Sequence, residues 1–358
     1  MNAVRRVVRI AAYQPKQMAE GRPVGAFDED AFTIGATAAE RAWYGRREGS
    51  VPLLLHLLGE FPPVAEWGFG ALLGRSAEVV RHKGDSGELA RTLEELEGSE
   101  GEVALVVAVD LAEKPATGAA GRSPPTGAGA VAYVLEPTET ARPFAVGKTS
   151  ASRSAVAATL RLGPAGAEAT GPVELVGDWE WDPGSARAVD GARSSPVAPE
   201  ELGAVSEGAY VPRARYLENL PSRWRFLAEA CGDCHGTTFP ARGVCRRCGR
   251  SGSLTPVDLP LDGGRVIAVT TVGPGGQPTE FDRQVATVGP YDVALVELAR
   301  GVRVTLQVTD SDPGELRVGD HVSTLLRRLY PMEGEWRYGR KAVPVHPPAA
   351  TSAPNPSN

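Results

Sequence analysis

The sequence predicts a multidomain protein: an α/β domain comes first, and a zinc ribbon and a small all-β barrel follow it. Three observations predict this order. Apolar strand-like runs alternate with helix-like stretches over residues 1–143. All four cysteines lie in two CxxC pairs within residues 231–248. Short apolar runs separated by turn residues fill residues 256–346.

Length and composition limit the protein class. The 358 residues are enough for two or three domains, and the net charge of −6 disfavours a protein that binds nucleic acid through overall positive charge. Residues 1–13 place arginines inside their only apolar run, which makes a poor signal peptide. No window reaches the roughly 18 apolar residues that a membrane helix needs. We therefore expect a cytoplasmic protein that does not enter a membrane.

The first 143 residues follow a strand and helix alternation. Residues 102–110 form the clearest strand, and their unbroken apolar centre is typical of a sheet covered on both faces. His56 lies in another apolar run, where a hydrogen-bonded core or edge histidine is favoured over a catalyst. The other predicted elements are strands at 4–13, 51–58 and 126–135 and helices at 27–42, 67–81 and 86–96. This mixture predicts a layered α/β domain.

Four stretches within residues 4–136 carry a family resemblance. They are residues 8–13, 28–40, 104–110 and 127–134. In this order they resemble the N-terminal half of a thiolase-superfamily enzyme, in particular the archaeal-type hydroxymethylglutaryl-CoA synthases. The α/β domain is thus expected to be a thiolase-like half-domain.

The chain departs from that family at the catalytic residues. The family's nucleophile is a cysteine at the start of a buried helix, and its base is a histidine in the C-terminal half of the fold. The corresponding stretch here, near residues 67–76, has no cysteine; Ser76 is the one hydroxyl that could replace it. Too few residues precede the CxxC pairs to supply the missing half. The resemblance therefore implies a degenerate, non-catalytic domain over 1–143, which packs on a partner or on a second copy.

The CxxC pairs predict a metal centre. Cys231, Cys234, Cys245 and Cys248 can close a tetrahedral shell of thiolates around Zn²⁺, with ten residues between the pairs. The alternatives are two disulfides or clustered free thiols. A closed shell of four sulfurs leaves no open coordination position, so a structural zinc is favoured over a catalytic one. His235 is interpreted as a neighbour of the site and not as a ligand.

Two segments lie between the α/β domain and the cysteines. Residues 144–206 are rich in Ala, Gly, Ser and Pro and are predicted to be a linker with local structure, in which Trp179 and Trp181 pack on a neighbour. Basic and aromatic residues then interleave just before the first cysteine pair. Three apolar side chains of this stretch could form one face for docking a partner enzyme, or could simply cover the ribbon: Tyr216, Leu220 and Trp224. Both interpretations stay open.

The C-terminal part predicts a barrel. Five strand-like runs occur at 264–272, 291–298, 302–308, 318–329 and 335–343. The run at 302–308 alternates cleanly between apolar and polar residues. Five short strands that close on themselves fit an OB-type barrel over 256–346, after a docking segment and ribbon over 207–255. The Pro-rich tail at 347–358 is predicted to be disordered.

A second resemblance covers about residues 210–346. Residues 227–249 resemble the rubredoxin-type zinc ribbon of the DUF35 family, and residues 289–298 and 302–310 resemble its OB-fold core. Proteins of that family associate with thiolase-like enzymes. The resemblance implies a non-catalytic subunit that docks onto a thiolase-superfamily enzyme and helps to enclose an acyl-CoA channel.

Basic and aromatic residues near the C-terminus are the candidate contacts for a CoA ester, since a phosphate favours guanidinium or ammonium partners and an aromatic ring can stack on adenine. They are Arg327, Arg328, Trp336, Arg337, Arg340 and Lys341. The alternative for these residues is a solvated barrel rim.

The sequence is compatible with three functions. The favoured one is the accessory scaffold subunit of an acyl-CoA-processing complex. The second is single-stranded nucleic-acid binding, which OB folds and zinc ribbons also perform, but the acidic chain disfavours it. The third is an active condensing enzyme, which the missing cysteine nucleophile disfavours. The sequence leaves a homo-oligomer open.

Overall fold

The chain forms two compact units. The computed structural model describes residues 4–19, 22–24, 26–46, 53–97, 99–111, 128–138, 155–156, 159–160, 173–179, 187–188 and 211–345. The first unit comprises residues 1–206, 211–221 and 326–338, and the second comprises 207–210, 222–325 and 339–358. This division differs from the predicted domain boundaries, because part of the docking segment and residues 326–338 group with the first unit. Most of the predicted linker, Trp181 and the tail at 347–358 lie outside the described residues.

A six-stranded sheet organises the first unit. Its strands run in the order β5-β4-β6-β7-β1-β8. β7 is antiparallel to both of its neighbours, and the other pairs are parallel. The bounds are β1 Val4–Tyr13, β4 Leu53–Leu58, β5 Ala77–His82, β6 Ala104–Asp110, β7 Gly129–Thr138 and β8 Glu174–Gly177. A small sheet adds β2 Gln17–Ala19, β3 Arg22–Val24 and β9 Arg187–Ala188.

Helices cover both faces of this sheet, as the apolar run of β6 predicts. α1 (Ala31–Trp43) begins at a capping box formed by Asp30 and Thr33 and packs against β1, β6 and β7. α3 (Ser86–Leu96) buries Leu89, Leu93 and Leu96 in an apolar cluster on the opposite face. The outer side of α3 is charged and exposed.

The predicted helix over residues 67–81 is wrong in its second half. α2 (Ala65–Leu73) ends at Gly74, whose φ of 70° is the left-handed cap that glycine adopts without strain. β5 then follows, and its β-branched Val79 and Val80 suit a strand. The continuous apolar pattern concealed this boundary, because a helix and a short buried strand have similar composition there.

The second unit contains a ribbon and most of a barrel, which confirms the predicted all-β class. The ribbon sheet runs β11-β10-β12, and the barrel sheet runs β15-β14-β13-β16-β17. The ribbon strands are β10 Leu227–Cys231, β11 Thr237–Thr238 and β12 Leu254–Asp258. The barrel strands are β13 Gly264–Val272, β14 Tyr291–Glu297, β15 Arg303–Gln307, β16 His321–Met332 and β17 Glu335–Pro344. A parallel bridge joins Val308 to Ala342.

Five short helical elements lie within residues 211–345, and the last of them is a 3₁₀ turn at Ala299–Gly301. α4 (Arg213–Glu218) and α5 (Leu220–Trp224) form the segment before the ribbon. A 3₁₀ turn (Thr279–Phe281) and α6 (Asp282–Val288) lie between β13 and β14, where the sequence pattern predicted no helix. Glycines and prolines flank this helix and favour turns, so the sequence pattern did not predict it. No helix in the described ranges is long and apolar enough to cross a membrane.

Candidate metal centre and the predicted ligand residues

The four cysteine sulfurs converge on one point. The Sγ atoms of Cys231 and Cys248 are 3.7 Å apart, those of Cys234 and Cys245 are 3.5 Å apart, and all four lie within 4.8 Å of one another. A tetrahedral Zn²⁺ with bonds of about 2.3 Å to sulfur requires sulfur–sulfur separations of about 3.8 Å. All four cysteines are free, whereas a disulfide bond is about 2.05 Å long. The donor set therefore fits a structural zinc, and disulfides do not describe this geometry.

Two similar backbone turns present these sulfurs. In the first, the His235 N–H donates to the Cys231 carbonyl at 2.9 Å, and in the second the Gly249 N–H donates to the Cys245 carbonyl at 2.9 Å. The backbone N–H groups of Cys248 and Arg247 lower the pKa of Cys245 to about 6, which favours the thiolate that a metal binds. His235 is exposed and lies outside the four-sulfur cluster, as expected for a neighbour.

Side chains outside the cluster hold the second turn. The Glu229 carboxylate accepts hydrogen bonds from the N–H groups of Arg242 and Gly243, at 2.8 and 2.9 Å. The Thr238 hydroxyl accepts from the Arg246 N–H at 2.9 Å. Hydrogen bonds to the ribbon strands therefore hold the second turn in place, and a metal bound by the cysteines would link it to the first turn.

The predicted CoA contacts are mostly buried. Arg327, Arg328, Arg337, Arg340 and Lys341 are between 0 and 4 % exposed, and Trp336 is partly exposed. The alternative interpretation, a solvated rim, is therefore wrong for these five side chains. Their burial has a physical cause, because groups of the same chain pair with Arg327, Arg328, Arg337 and Arg340.

Arg327 makes the most deeply buried of these pairs. Its guanidinium lies 2.8 Å from the Glu29 carboxylate and donates to the Tyr13 hydroxyl at 2.7 Å. Tyr13 in turn donates to Glu29, whose second oxygen accepts from the Ala26 N–H at 2.9 Å. Arg327 is 0 % exposed and Glu29 is 1 % exposed. The charges are thus paired and hydrogen-bonded, as burial in a low-dielectric interior requires.

The neighbouring cations have their own partners. Arg328 donates to the Phe27 carbonyl at 2.5 Å and lies 4.5 Å from the centre of the Trp336 ring. Arg337 pairs with Glu333 at 2.8 Å. Arg340 donates to the Trp224 carbonyl at 2.5 Å. A CoA phosphate would have to replace these partners, so CoA contact by these residues stays a prediction that their burial does not favour.

The predicted docking residues are buried against other parts of the same chain. Tyr216, Leu220 and Trp224 are 3, 5 and 0 % exposed. The Tyr216 hydroxyl accepts from the Tyr338 N–H at 2.9 Å and donates to the Tyr338 carbonyl at 3.1 Å. The exposed side of α4 instead carries Arg213 and other charged residues. Partner docking through the three predicted residues stays untested, and in this chain they serve packing.

A cavity of about 390 Å³ opens at the carboxyl ends of β4, β5 and β6. Such a position is where open α/β sheets commonly bind ligands. The described residues that line it include no cysteine, serine or histidine: Gly59, Glu60, Lys83, Gly84, Asp85, Val109, Asp110 and Leu111. Ser76, the predicted replacement nucleophile, does not line it. The cavity thus offers space, but no thiol or hydroxyl nucleophile of the thiolase type among its described lining residues.

His56 is a buried, hydrogen-bonded residue, in agreement with the favoured interpretation. Its Nδ1 lies 2.7 Å from Nε2 of His82, and Nδ1 of His82 lies 3.2 Å from the Glu88 carboxylate. Because Glu88 accepts from His82, the other nitrogen of His82 accepts from His56. Burial, and after it the charges of His82 and Arg5, lowers the pKa of His56 to about 4.

This pair predicts a loss of stability in mild acid. The unfolded chain protonates His56 near pH 6.5, whereas the folded chain resists protonation until about pH 4. The unfolded state therefore binds more protons in this window, and the free energy of unfolding should fall as pH decreases through it. Urea unfolding of the wild type and of His56→Gln measures the effect, and the variant should show a shallower pH slope. Identical slopes would contradict this assignment.

The chain is similar to curated scaffold proteins over about a third of its length. No protein-family model matches the sequence. A DUF35 domain-containing scaffold protein of Methanothermobacter thermautotrophicus is 33% identical over 133 residues, which cover 36% of this chain and 94% of the relative. One from Pyrococcus furiosus is 30% identical over 135 residues, which cover 37% of this chain and 92% of the relative.

Solved structures give weaker likenesses. The Ltp2-ChsH2(DUF35) aldolase has a TM-score of 0.29 and 21% identity, with 38% of this chain and 98% of that chain covered. An HMG-CoA synthase complexed with CoA has a TM-score of 0.31 and 13% identity, with 40% of this chain and 44% of that chain covered. Because the Methanothermobacter relative is matched over nearly its whole length, at a third of its residues and alongside a four-cysteine centre, the chain belongs to the DUF35 family of scaffold proteins.

Proposed function

We propose that this chain is a non-catalytic scaffold subunit that docks onto a thiolase-superfamily enzyme and helps to form its acyl-CoA channel. An accessory scaffold role follows from the DUF35 relatives, which are named scaffold proteins. The observation that carries the finer proposal is the joining of a DUF35 module to a region that resembles half a thiolase. Such a pair suits a protein that acts beside a thiolase-fold enzyme.

The cysteine supply supports a non-catalytic role. The chain has four cysteines, and all four belong to the candidate metal centre. A thiolase-type acyl transfer needs a thiolate that can attack a thioester, and a thiolate held in a closed metal shell is not free to do so. The zinc would fix the ribbon, and the acyl chemistry would belong to the partner.

Single-stranded nucleic-acid binding is the second candidate, and the barrel surface does not favour it. On the outward face of the barrel, Arg265 and Arg303 both pair with Glu297, at 3.6 and 3.0 Å. Nucleic-acid-binding OB folds combine free cations with exposed aromatic rings for stacking. Within residues 211–345, no aromatic side chain is among the large apolar groups that are exposed.

The proposal places the protein in the cytoplasm, with zinc as a structural metal and with acyl-CoA as a ligand of the assembled complex. Grouped metal-type cysteines are typical of a reducing compartment. The stoichiometry, including a second copy of this chain, is an outcome of the experiment below.

Affinity purification from the native cells tests the proposal. The tagged full-length chain should co-purify with a thiolase-superfamily enzyme in fixed stoichiometry, as quantified by mass spectrometry. The matched control is Cys245→Ser, which should lose zinc and with it most of the partner, because the ribbon would no longer be held. Enrichment of no thiolase-superfamily enzyme above an untagged control would contradict the proposed function.

A further inference from the structure

The second cysteine turn of the ribbon carries a concentrated positive charge. Residues 234–257 contain no aspartate or glutamate but four arginines, which are Arg242, Arg246, Arg247 and Arg250. All four are exposed. The whole chain has a net charge of −6, so the remainder of the chain is more acidic still. Residues 242–250, named here the arginine turn, are therefore a local cationic surface on an acidic protein.

Two of these arginines serve the metal centre. Four thiolates around Zn²⁺ leave a net negative charge, which nearby cations stabilise. Arg247 donates to the Cys234 carbonyl at 3.3 Å, and Arg250 lies 3.5 Å from the Asp233 carboxylate. Both therefore contact the first cysteine turn. Arg242 and Arg246 need another explanation.

The backbone of Arg242 and Arg246 is fixed, while their guanidinium groups stay free. The Arg242 N–H donates to the Glu229 carboxylate at 2.8 Å, and the Arg246 N–H donates to the Thr238 hydroxyl at 2.9 Å. Within the described part of the chain, neither guanidinium forms a hydrogen bond or an ion pair. Fixing the backbone in advance lowers the entropy that is lost on binding, so these two cations suit an anionic partner.

An apolar residue lies at the centre of this surface. Val244 lies between Arg242 and Arg246 in the chain and is 47 % exposed. Gly243 and Gly249 have φ of 70° and 75°, and no described atom lies within 4 Å of the place where a Cβ would lie. The arginine turn is therefore open to solvent at both glycines. Exposed apolar surface beside arginines matches protein–protein interfaces, which are enriched in arginine.

A protein suits this surface better than a nucleic acid. Nucleic acid is a long polyanion, and the acidic remainder of the chain would repel it beyond the few residues of the turn. Binding of single strands also uses exposed aromatic rings. The only Phe, Tyr or Trp side chain within residues 234–257 is Phe239, which is partly buried against Phe226. A carboxylate-bearing patch on a protein is compact enough to face the turn alone.

We propose that the arginine turn is a docking surface for a carboxylate-rich patch on a partner protein. Arg242 and Arg246 pair with carboxylates of that patch, and Val244 packs on an apolar side chain between them. The identity of the partner as a thiolase-superfamily enzyme rests on the proposed function. The surface uses none of the three predicted docking residues, which the chain buries.

Site-specific photo-crosslinking in the native cells tests this surface. The full-length chain carries the substitution Val244→p-benzoylphenylalanine, and mass spectrometry identifies the peptide to which it crosslinks. We expect a peptide of a thiolase-superfamily enzyme that lies in a patch rich in aspartate and glutamate. The matched control is Val318→p-benzoylphenylalanine, because Val318 is 65 % exposed in the turn before β16. The control should give no such peptide.

Charge reversal tests the role of the arginines. Arg242→Glu combined with Arg246→Glu should weaken binding of the crosslinked protein by about tenfold or more, because like charges then face each other. Arg242→Gln combined with Arg246→Gln should weaken it less. The control pair is Arg300→Glu with Arg317→Glu, which changes the net charge equally at two exposed positions and should bind as the wild type does. Biolayer interferometry measures the affinity of the full-length chains, and their zinc content checks that each ribbon is intact.

The outcomes separate this inference from the proposed function. No crosslink from Val244, a crosslink to a patch without carboxylates, or unchanged affinity of both variants of Arg242 and Arg246 would overturn the docking surface. A crosslink to nucleic acid would overturn it too and would favour the second candidate function. An acidic patch on a protein outside the thiolase superfamily would support the docking surface and contradict the proposed function. A thiolase-superfamily enzyme that co-purifies but crosslinks only from Val318 would do the reverse.

Discussion

Arg327→Met is expected to lower the free energy of unfolding by about 3–5 kcal/mol. The substitution leaves the Glu29 carboxylate, which is 1 % exposed, without its guanidinium partner at 2.8 Å. It also removes a hydrogen bond to the Tyr13 hydroxyl. A buried charge that loses its partner destabilises the fold by far more than the intact pair stabilises it. Chemical denaturation followed by circular dichroism measures the change.

Two controls isolate the buried charge as the cause. Arg303→Met breaks a pair with Glu297 in which the arginine side chain is 58 % exposed, and it should cost no more than about 1 kcal/mol. Adding Glu29→Gln to Arg327→Met should recover part of the stability, because it neutralises the stranded carboxylate. An Arg327→Met protein as stable as the Arg303→Met protein would show that the Glu29 pair is not held as described.

Removal of the metal is expected to unfold the ribbon. Structural zinc sites supply apparent binding free energies of about 10–16 kcal/mol, and the site does not persist in the unfolded state. The strands β10, β11 and β12 hold the two cysteine turns, so chelation or Cys245→Ser should expose their amides. Elemental analysis gives the zinc content, and hydrogen exchange over residues 227–258 gives the protection.

The histidine next to the cysteines supplies the control for that experiment. His235→Ala should keep about one zinc per chain and normal protection, because four sulfurs already fill the shell. Loss of zinc from His235→Ala would show that the histidine is a ligand. Unchanged protection after complete zinc removal would show that the metal does not stabilise the ribbon.

Local patterns predicted the metal centre and most strands. Cysteine spacing alone identifies the four sulfurs that converge, since each CxxC pair makes its own turn. The alternation at residues 302–308 likewise predicted β15, because its apolar residues Val304 and Leu306 face the barrel core. Both features arise from residues that are close together in the chain, so a single sequence is enough to predict them.

Long-range pairing was not predictable in the same way. Arg327 and Tyr13 are 314 residues apart in the chain, and basic residues among aromatics resemble an exposed ligand surface until their partners are known. The acidic run at residues 28–30 indicated that a basic side chain could pair with it, but the sequence did not show which one.

We propose that the acyl chemistry belongs to a partner and not to this chain. Incubating the purified complex, and this chain alone, with radiolabelled acetyl-CoA tests it most directly, with the label located by mass spectrometry of each polypeptide. We predict a covalent acyl group on a cysteine of the thiolase-superfamily partner and none on this chain in either sample. A stable acyl group on this chain in the absence of the partner would contradict the account.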